Sequence, residues 1–181
     1  MKQKRRDFLR ISAASALGIV AFGPVACNSA GGKGKNNYGV GIQLYTIRDA
    51  MAEDVAGSLQ KVADIGYKNL ELADYSDGKF YGYTPKEFKK LVNDMGMEVV
   101  SSHTQVEAEG ITIDNAKKMA DDHAELGVEY CVQPWVNDED RNIETYKKMI
   151  ADWNEVGRIM KDAGIQFGYH NHNFEFKNIN G

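Results

Sequence analysis

Four glycines, Gly66, Gly96, Gly127 and Gly164, each follow a helix-like stretch and open a short apolar run that closes on a polar side chain. The runs are GYKNLE (66–71), GMEVVSSH (96–103), GVEYCVQ (127–133) and GIQFGYH (164–170), and GVGIQLY (39–45) has a similar ending without a helix before it. Glycine after a helix takes the left-handed conformation that stops it, so each of the four marks a helix-to-strand corner. A spacing of about 30 residues is what one strand, one helix and two short loops require. Strands joined in this way run parallel with their ends together, so Gln43, Glu71, His103, Gln133 and His170 are expected at one rim. In (β/α) barrels that rim carries the chemistry.

The intervening segments support the same architecture. Val55, Leu59 and Val62, with Ile65 near them, fall on one helical face in a helix expected from about residue 52. Thr84-Pro85-Lys86-Glu87 reads as a capping box with proline at the first helical position, ahead of the stripe Phe88, Leu91, Val92 and Met95. A third helix spans about 113–126 with Ile113, Ala116, Met119, Ala120 and Leu126 inward. A fourth spans about 139–163 with Ile143, Tyr146, Ile150, Trp153 and Met160 on one side. Alternating strands and helices of these lengths indicate a parallel α/β fold. A doubly wound sheet is the rival, but the glycine cluster that cradles a pyrophosphate after the first strand is missing from Gln43-Leu44-Tyr45-Thr46. The expectation is therefore an incomplete (β/α)8 barrel with about five strands and four helices. Eight strands need about 250 residues, so the chain reads as a truncated form.

The barrel portion is assigned to residues 38–181. Residues 1–26 contain Arg5-Arg6-Asp7-Phe8-Leu9-Arg10 and then a short, small-residue-rich apolar segment, which has the form of a twin-arginine export signal. Cys27, preceded by Ala26, suits a lipidation site, and residues 27–37 form a Gly-, Lys- and Asn-rich linker. The expected address is the periplasm, with membrane attachment only through the lipid. Loss of residues 1–26 takes the formal charge from −4 to about −8, and no basic run follows Lys35. Such a surface repels a polyanion, which argues against nucleic-acid binding. Cys131, in an apolar run, reads as a buried thiol.

Histidines and carboxylates at the strand ends are the candidate chemistry. His170 and His172 alternate around Asn171 and so point to one side, near Glu175. Imidazoles beside a carboxylate suit a divalent transition metal, the alternative being a polar loop whose histidines bond to backbone. His103 at the rim is a catalytic candidate or a structural histidine. Glu71 suits a base, an acceptor for sugar hydroxyls or a salt-bridge partner. Gln43, Gln133, Tyr45 and Trp135 suit substrate contacts, amides and aromatic faces being able to recognise a sugar without charge, or else rim packing. His123, among Asp121, Asp122 and Glu125, reads as a solvated helix face.

The motifs GIQLYTIRD (41–49), GYKNLE (66–71), VSSH (100–103) and GYHNHNFEF (168–176) resemble the sugar phosphate isomerase/epimerase group of the xylose isomerase-like TIM barrel superfamily. The resemblance implies a metal-dependent enzyme acting on sugars by proton transfer next to a carbonyl, through an enediolate. It implies Mn, Co, Zn or Mg as cofactor, with His170 as a metal ligand and His172 as a second ligand or a substrate contact; Glu71, His103 and Glu175, at the rim, are the expected catalytic groups. In relatives the first metal ligand is a glutamate ending the fifth strand, where this chain has His170. Neutral sugars or glycosides fit the acidic chain better than sugar phosphates, since no phosphate-binding glycine loop is evident. A sugar dehydratase or lyase on the same scaffold, or a non-catalytic carbohydrate-binding lipoprotein, are the alternatives.

Overall fold

The computed structural model describes residues 39–104 and 110–178. The export signal, Cys27 and the linker expected at 27–37 lie outside the described residues. Five strands, β1 (Gly41–Gln43), β2 (Asn69–Leu72), β3 (Glu98–His103), β4 (Tyr130–Gln133) and β5 (Gln166–Tyr169), form one sheet in that order. Every pairing is parallel. Sequential parallel strands with a helix in every crossover are the topology of a (β/α) barrel wall, as the glycine spacing predicts.

The helices are α1 (Arg48–Glu53), α2 (Val55–Ile65), α3 (Pro85–Asp94), α4 (Ile113–Leu126) and α5 (Ile143–Asp162). Their ends follow from local chemistry. Thr84 and Glu87 form the reciprocal capping box of α3, with Pro85 at its start. Thr112 with Asn115 does the same for α4, and Gly127 closes that helix at φ 94°, where a Cβ would be strained. Asp54 accepts the Gly57 N–H and restarts the chain as α2, so the single helix expected from residue 52 is two helices, beginning at Arg48. Residues Leu44–Ile47 form a 3-10 turn instead of extending β1.

Leu70 and Leu72 of β2 pack with Leu59, Val62, Phe88, Val92, Met119, Val156 and Met160 in the core between sheet and helices. Burying each large apolar side chain contributes about 1.5–3 kcal/mol before the entropy cost of ordering it. Three residues expected in the core are instead exposed: Ile65, Ile113 and Ile150. Ile65 and Ile113 sit at helix ends. Ile150 is six residues before Val156, about 120° around the helix from the face that Val156 and Met160 bury. The stripe of α5 therefore runs through Trp153, Val156 and Met160, with Ile150 off it.

His123 corrects the sequence reading outright. It is fully buried, its ring 5.1 Å from Tyr75 and 5.0 Å from Phe80. Its Nδ1 lies 2.7 Å from the Met119 carbonyl, which can only accept, so Nε2 accepts from the Thr104 hydroxyl at 2.9 Å. Burial drives its pKa down to about 4, against the opposing pull of the Met119 hydrogen bond and Asp122. The loop at 73–83 supplies Tyr75 and Phe80 to this core, so it is packed into the fold and not merely a polar connection.

Candidate functional site

Which face of the sheet a residue occupies decides whether it can reach a ligand. Paired residues on neighbouring parallel strands share a face, and successive residues alternate. Leu70 pairs with Val99 on the helix-covered face, and Gln43 pairs with Glu71 on the open one. The β2–β3 register then shifts: Glu71 pairs with Ser101, leaving Val100 as the extra residue of a bulge. Beyond the bulge Ser101 and His103 face the open side, and Ser102 and Thr104 the helices.

Three side chains from three strands meet there. Gln43 donates from its amide nitrogen to Glu71 Oε1 at 2.6 Å and reaches His103 Nδ1 at 3.0 Å. An amide N–H can only donate, so Nδ1 accepts and the neutral ring of His103 carries its proton on Nε2. That nitrogen lies 3.4 Å from Glu71 Oε1 and 3.3 Å from His170 Nδ1. Burial holds the His103 pKa below its ordinary value; Glu71 pulls it up, and His170 and His172 push it further down. The arrangement is a carboxylate, a neutral imidazole and a second imidazole in one hydrogen-bonded row.

The row opens into a cleft of about 410 Å³ lined by Gln43, Tyr45, His103, Trp135, His170 and His172, among others. No lysine or arginine lines it among the described residues. His172 lies 4.6 Å from the His170 ring and stacks on Phe174 at 5.5 Å and 8°, with Trp135 edge-on to both His172 and Phe174. The two histidines thus stand on one side of the chain, as their alternation predicts. Tyr45 is exposed, on the 3-10 turn after β1.

Two expected site residues are committed elsewhere. Gln133 is buried, pairs with Tyr169 on the helix-covered face, and does not line the cleft. Its amide accepts from Ile111 N at 3.0 Å and donates to the Trp135 carbonyl at 2.7 Å, tying the segment before α4 to the loop after β4. Glu175 accepts from the Tyr169 hydroxyl and, at 2.6 Å, from the His172 backbone N–H. Burial raises its pKa, but these hydrogen bonds outweigh it and leave the group below the ordinary carboxylate value. Its carboxylate fastens the turn that presents His172, and both of its oxygens are occupied in doing so.

The metal expected from the resemblance finds no complete site among the described residues. No three His, Cys, Asp or Glu side chains there are placed to hold one ion. His170 Nδ1 and His103 Nε2 face each other as hydrogen-bond partners, and His172 Nδ1 is buried without one.

Sequence reasoning missed Arg141, whose guanidinium covers the Phe174 ring at 3.5 Å, and the buried hydroxyls of Ser102 and Thr104 that link His123 and Cys131. The spacing 116, 119, 120, 123, 126 would have placed His123 on the inner stripe of α4. Arg141 carries no periodic signal. Cys131 is a buried free thiol, as expected, and burial pushes its pKa up to about 11.

Parallel strands in barrel order, with a carboxylate–imidazole row and an aromatic cleft at their carboxyl ends, define an α/β protein of the (β/α) barrel class. More narrowly, the chain belongs to the xylose isomerase-like TIM barrel family, whose model matches residues 59–181. Among solved structures it is similar to a sugar phosphate isomerase/epimerase from Parabacteroides distasonis, with 33% identity and TM-score 0.67 over 77% of this chain and 57% of that one. A second protein of that description from the same organism shows 36% identity and TM-score 0.66, covering 77% of this chain and 53% of that one. A D-tagatose 3-epimerase-like protein shares the fold at 16% identity and TM-score 0.53, over 79% of this chain and 55% of that one. The chain thus spans somewhat more than half the length of these relatives. No curated protein matches it.

Proposed function

We propose that the protein is an exported isomerase or epimerase of uncharged sugars or glycosides, moving a proton on the carbon next to a carbonyl. The observation that carries this reading is the row Gln43–Glu71–His103–His170 opening into the aromatic cleft. Glu71 is the base, and its oxygen is oriented by the Gln43 amide. The Nε2 proton of neutral His103 faces the same space and donates to the carbonyl oxygen as negative charge develops there, giving an enediol. Glu71 then returns its proton to the neighbouring carbon while the enediol's other hydroxyl re-protonates His103, and an epimerisation takes its proton on the opposite face from an acid beyond the described residues. His170 Nδ1, 3.3 Å from the same Nε2, accepts its N–H in the free protein and helps to orient the His103 ring. Tyr45 and Trp135 offer apolar faces to a sugar ring, and a cleft with no lysine or arginine among its described lining residues favours neutral substrates over phosphates. A divalent ion, if the full protein holds one, needs donors beyond the described set. The export signal and the lipid on Cys27 belong to this proposal and rest on the amino-acid sequence.

The test is hydrogen exchange. Full-length protein is incubated with keto- and aldohexoses, D-fructose and D-tagatose among them, in D2O, and deuterium at the carbon next to the carbonyl is followed by NMR. The wild type incorporates label, and Glu71→Gln lowers the rate about 10²-fold or more. Sugar binding with no exchange for any hexose would overturn the enzyme reading in favour of a carbohydrate-binding protein.

A further inference from the structure

Arg141 stands behind the cleft, in the loop between β4 and α5. An arginine flanked by Asp138, Glu139 and Asp140 would ordinarily extend into water, yet its side chain is only 18% exposed. Its Nε donates to the Val136 carbonyl at 3.0 Å and its Nη1 pairs with Asp138 at 2.5 Å. The guanidinium carbon lies 3.5 Å from the Phe174 ring centre and 4.6 Å from that of Trp135. Nη2 is buried with no hydrogen-bond partner among the described residues, so the rings are what that end of the group meets. Phe174 in turn carries His172 in a parallel stack, and Trp135 abuts both edge-on. Trp135 comes from the loop after β4; His172 and Phe174 come from the segment after β5.

We infer that Arg141 is a positioning residue that locks the loops after β4 and β5 together and so fixes the Trp135–His172 wall of the cleft. A planar, always-charged guanidinium placed over the Phe174 ring and held there by its Nε bond to the Val136 carbonyl does this, the exposed Asp138 pair adding little. Lysine keeps the charge but offers neither the plane nor the Nε donor. The wall's ligand, an uncharged sugar ring stacked on Trp135, rests on the function proposed above; the locking itself does not.

The experiment uses full-length protein, with the Trp135 signal taken as the difference from a matched Trp135→Phe control. Arg141→Lys is expected to shift Trp135 emission to the red and to raise its quenching by acrylamide, with far-ultraviolet circular dichroism unchanged. Asp138→Asn, which weakens the ion pair but keeps the stack, should leave emission in place. With a hexose that turns over, Arg141→Lys should raise KM about tenfold with kcat nearly constant, the loss of roughly one cation–π contact. If Arg141→Lys does not fold, Phe174→Leu provides the same readout with Arg141 intact and should give the same red shift. Unmoved Trp135 emission in the folded variant, or an equal shift in Asp138→Asn, overturns the locking role. A shifted emission with unchanged KM keeps the lock and rejects the wall as the sugar subsite.

Discussion

Acid should destabilise this fold through one identified side chain, His123. Its folded pKa is about 4, against 6.5 for an ordinary histidine. A histidine held neutral by burial contributes no penalty at neutral pH, because neither state is protonated. As pH falls below 6.5 the unfolded chain takes up a proton that the folded protein refuses until about pH 4. Stability therefore falls with falling pH across that window and levels off, for this group, below it. A pKa of about 4 in place of 6.5 corresponds to about 3 kcal/mol, a large part of the 5–15 kcal/mol that typically holds a domain together. Carboxylates titrate at the lower end of the range, so the contribution is isolated by difference. Urea unfolding of the wild type and His123→Gln is measured from pH 7 to pH 4, and the gap between their stabilities should shift by about 3 kcal/mol against the wild type as the pH falls. An NMR titration of the His123 ring checks the cause directly. A folded-state midpoint near 6.5, or a gap that does not vary with pH, would refute the neutral, buried assignment.

Three further outcomes separate scaffold from chemistry. Gln133→Ala leaves the buried Ile111 N–H without its acceptor, so urea unfolding should show a loss of about 1–3 kcal/mol while kcat changes little; an unchanged stability with a large rise in KM would return Gln133 to the substrate. Glu175→Ala should lower stability by a similar amount and disturb His172, but lower kcat far less than Glu71→Gln does; a kcat loss equal to that of Glu71→Gln would make Glu175 a catalytic group. Cys27→Ser should abolish palmitate labelling and move the protein from the membrane fraction to the soluble one, an outcome that unchanged fractionation would contradict.

Punctuation was the legible part of this fold. The helix-ending glycines, the Thr84–Glu87 box and the bounds of α4 are local signals, and each is realised where the residues indicate. Tertiary commitments were less legible. Gln133 looks like a rim ligand because it ends a strand, but its parity turns it toward α4 and α5. His123 looks solvated because its neighbours in the chain are charged, whereas every third or fourth residue from Ala116 is buried. Glu175 looks catalytic because it sits beside two histidines, yet the turn after β5 needs an acceptor for the His172 N–H, and Glu175 provides it.

Position at a strand end is thus necessary for a site residue, and the face it occupies decides the rest. Counting by alternation from Val99, which pairs with outward Leu70, would send Ser101 and His103 outward as well, into the layer that already holds His123. Val100 breaks that count. As the unpaired residue of the bulge it lets Val99 stay with Leu70 against the helices while Ser101 turns inward beside Glu71. His103, two residues further, then arrives within 3.4 Å of the Glu71 carboxylate, and Thr104 arrives within 2.9 Å of His123. One extra residue in β3 therefore sorts two adjacent side chains to opposite faces. His103 enters the acid–base row, and Thr104 joins the buried network that holds the strand behind it.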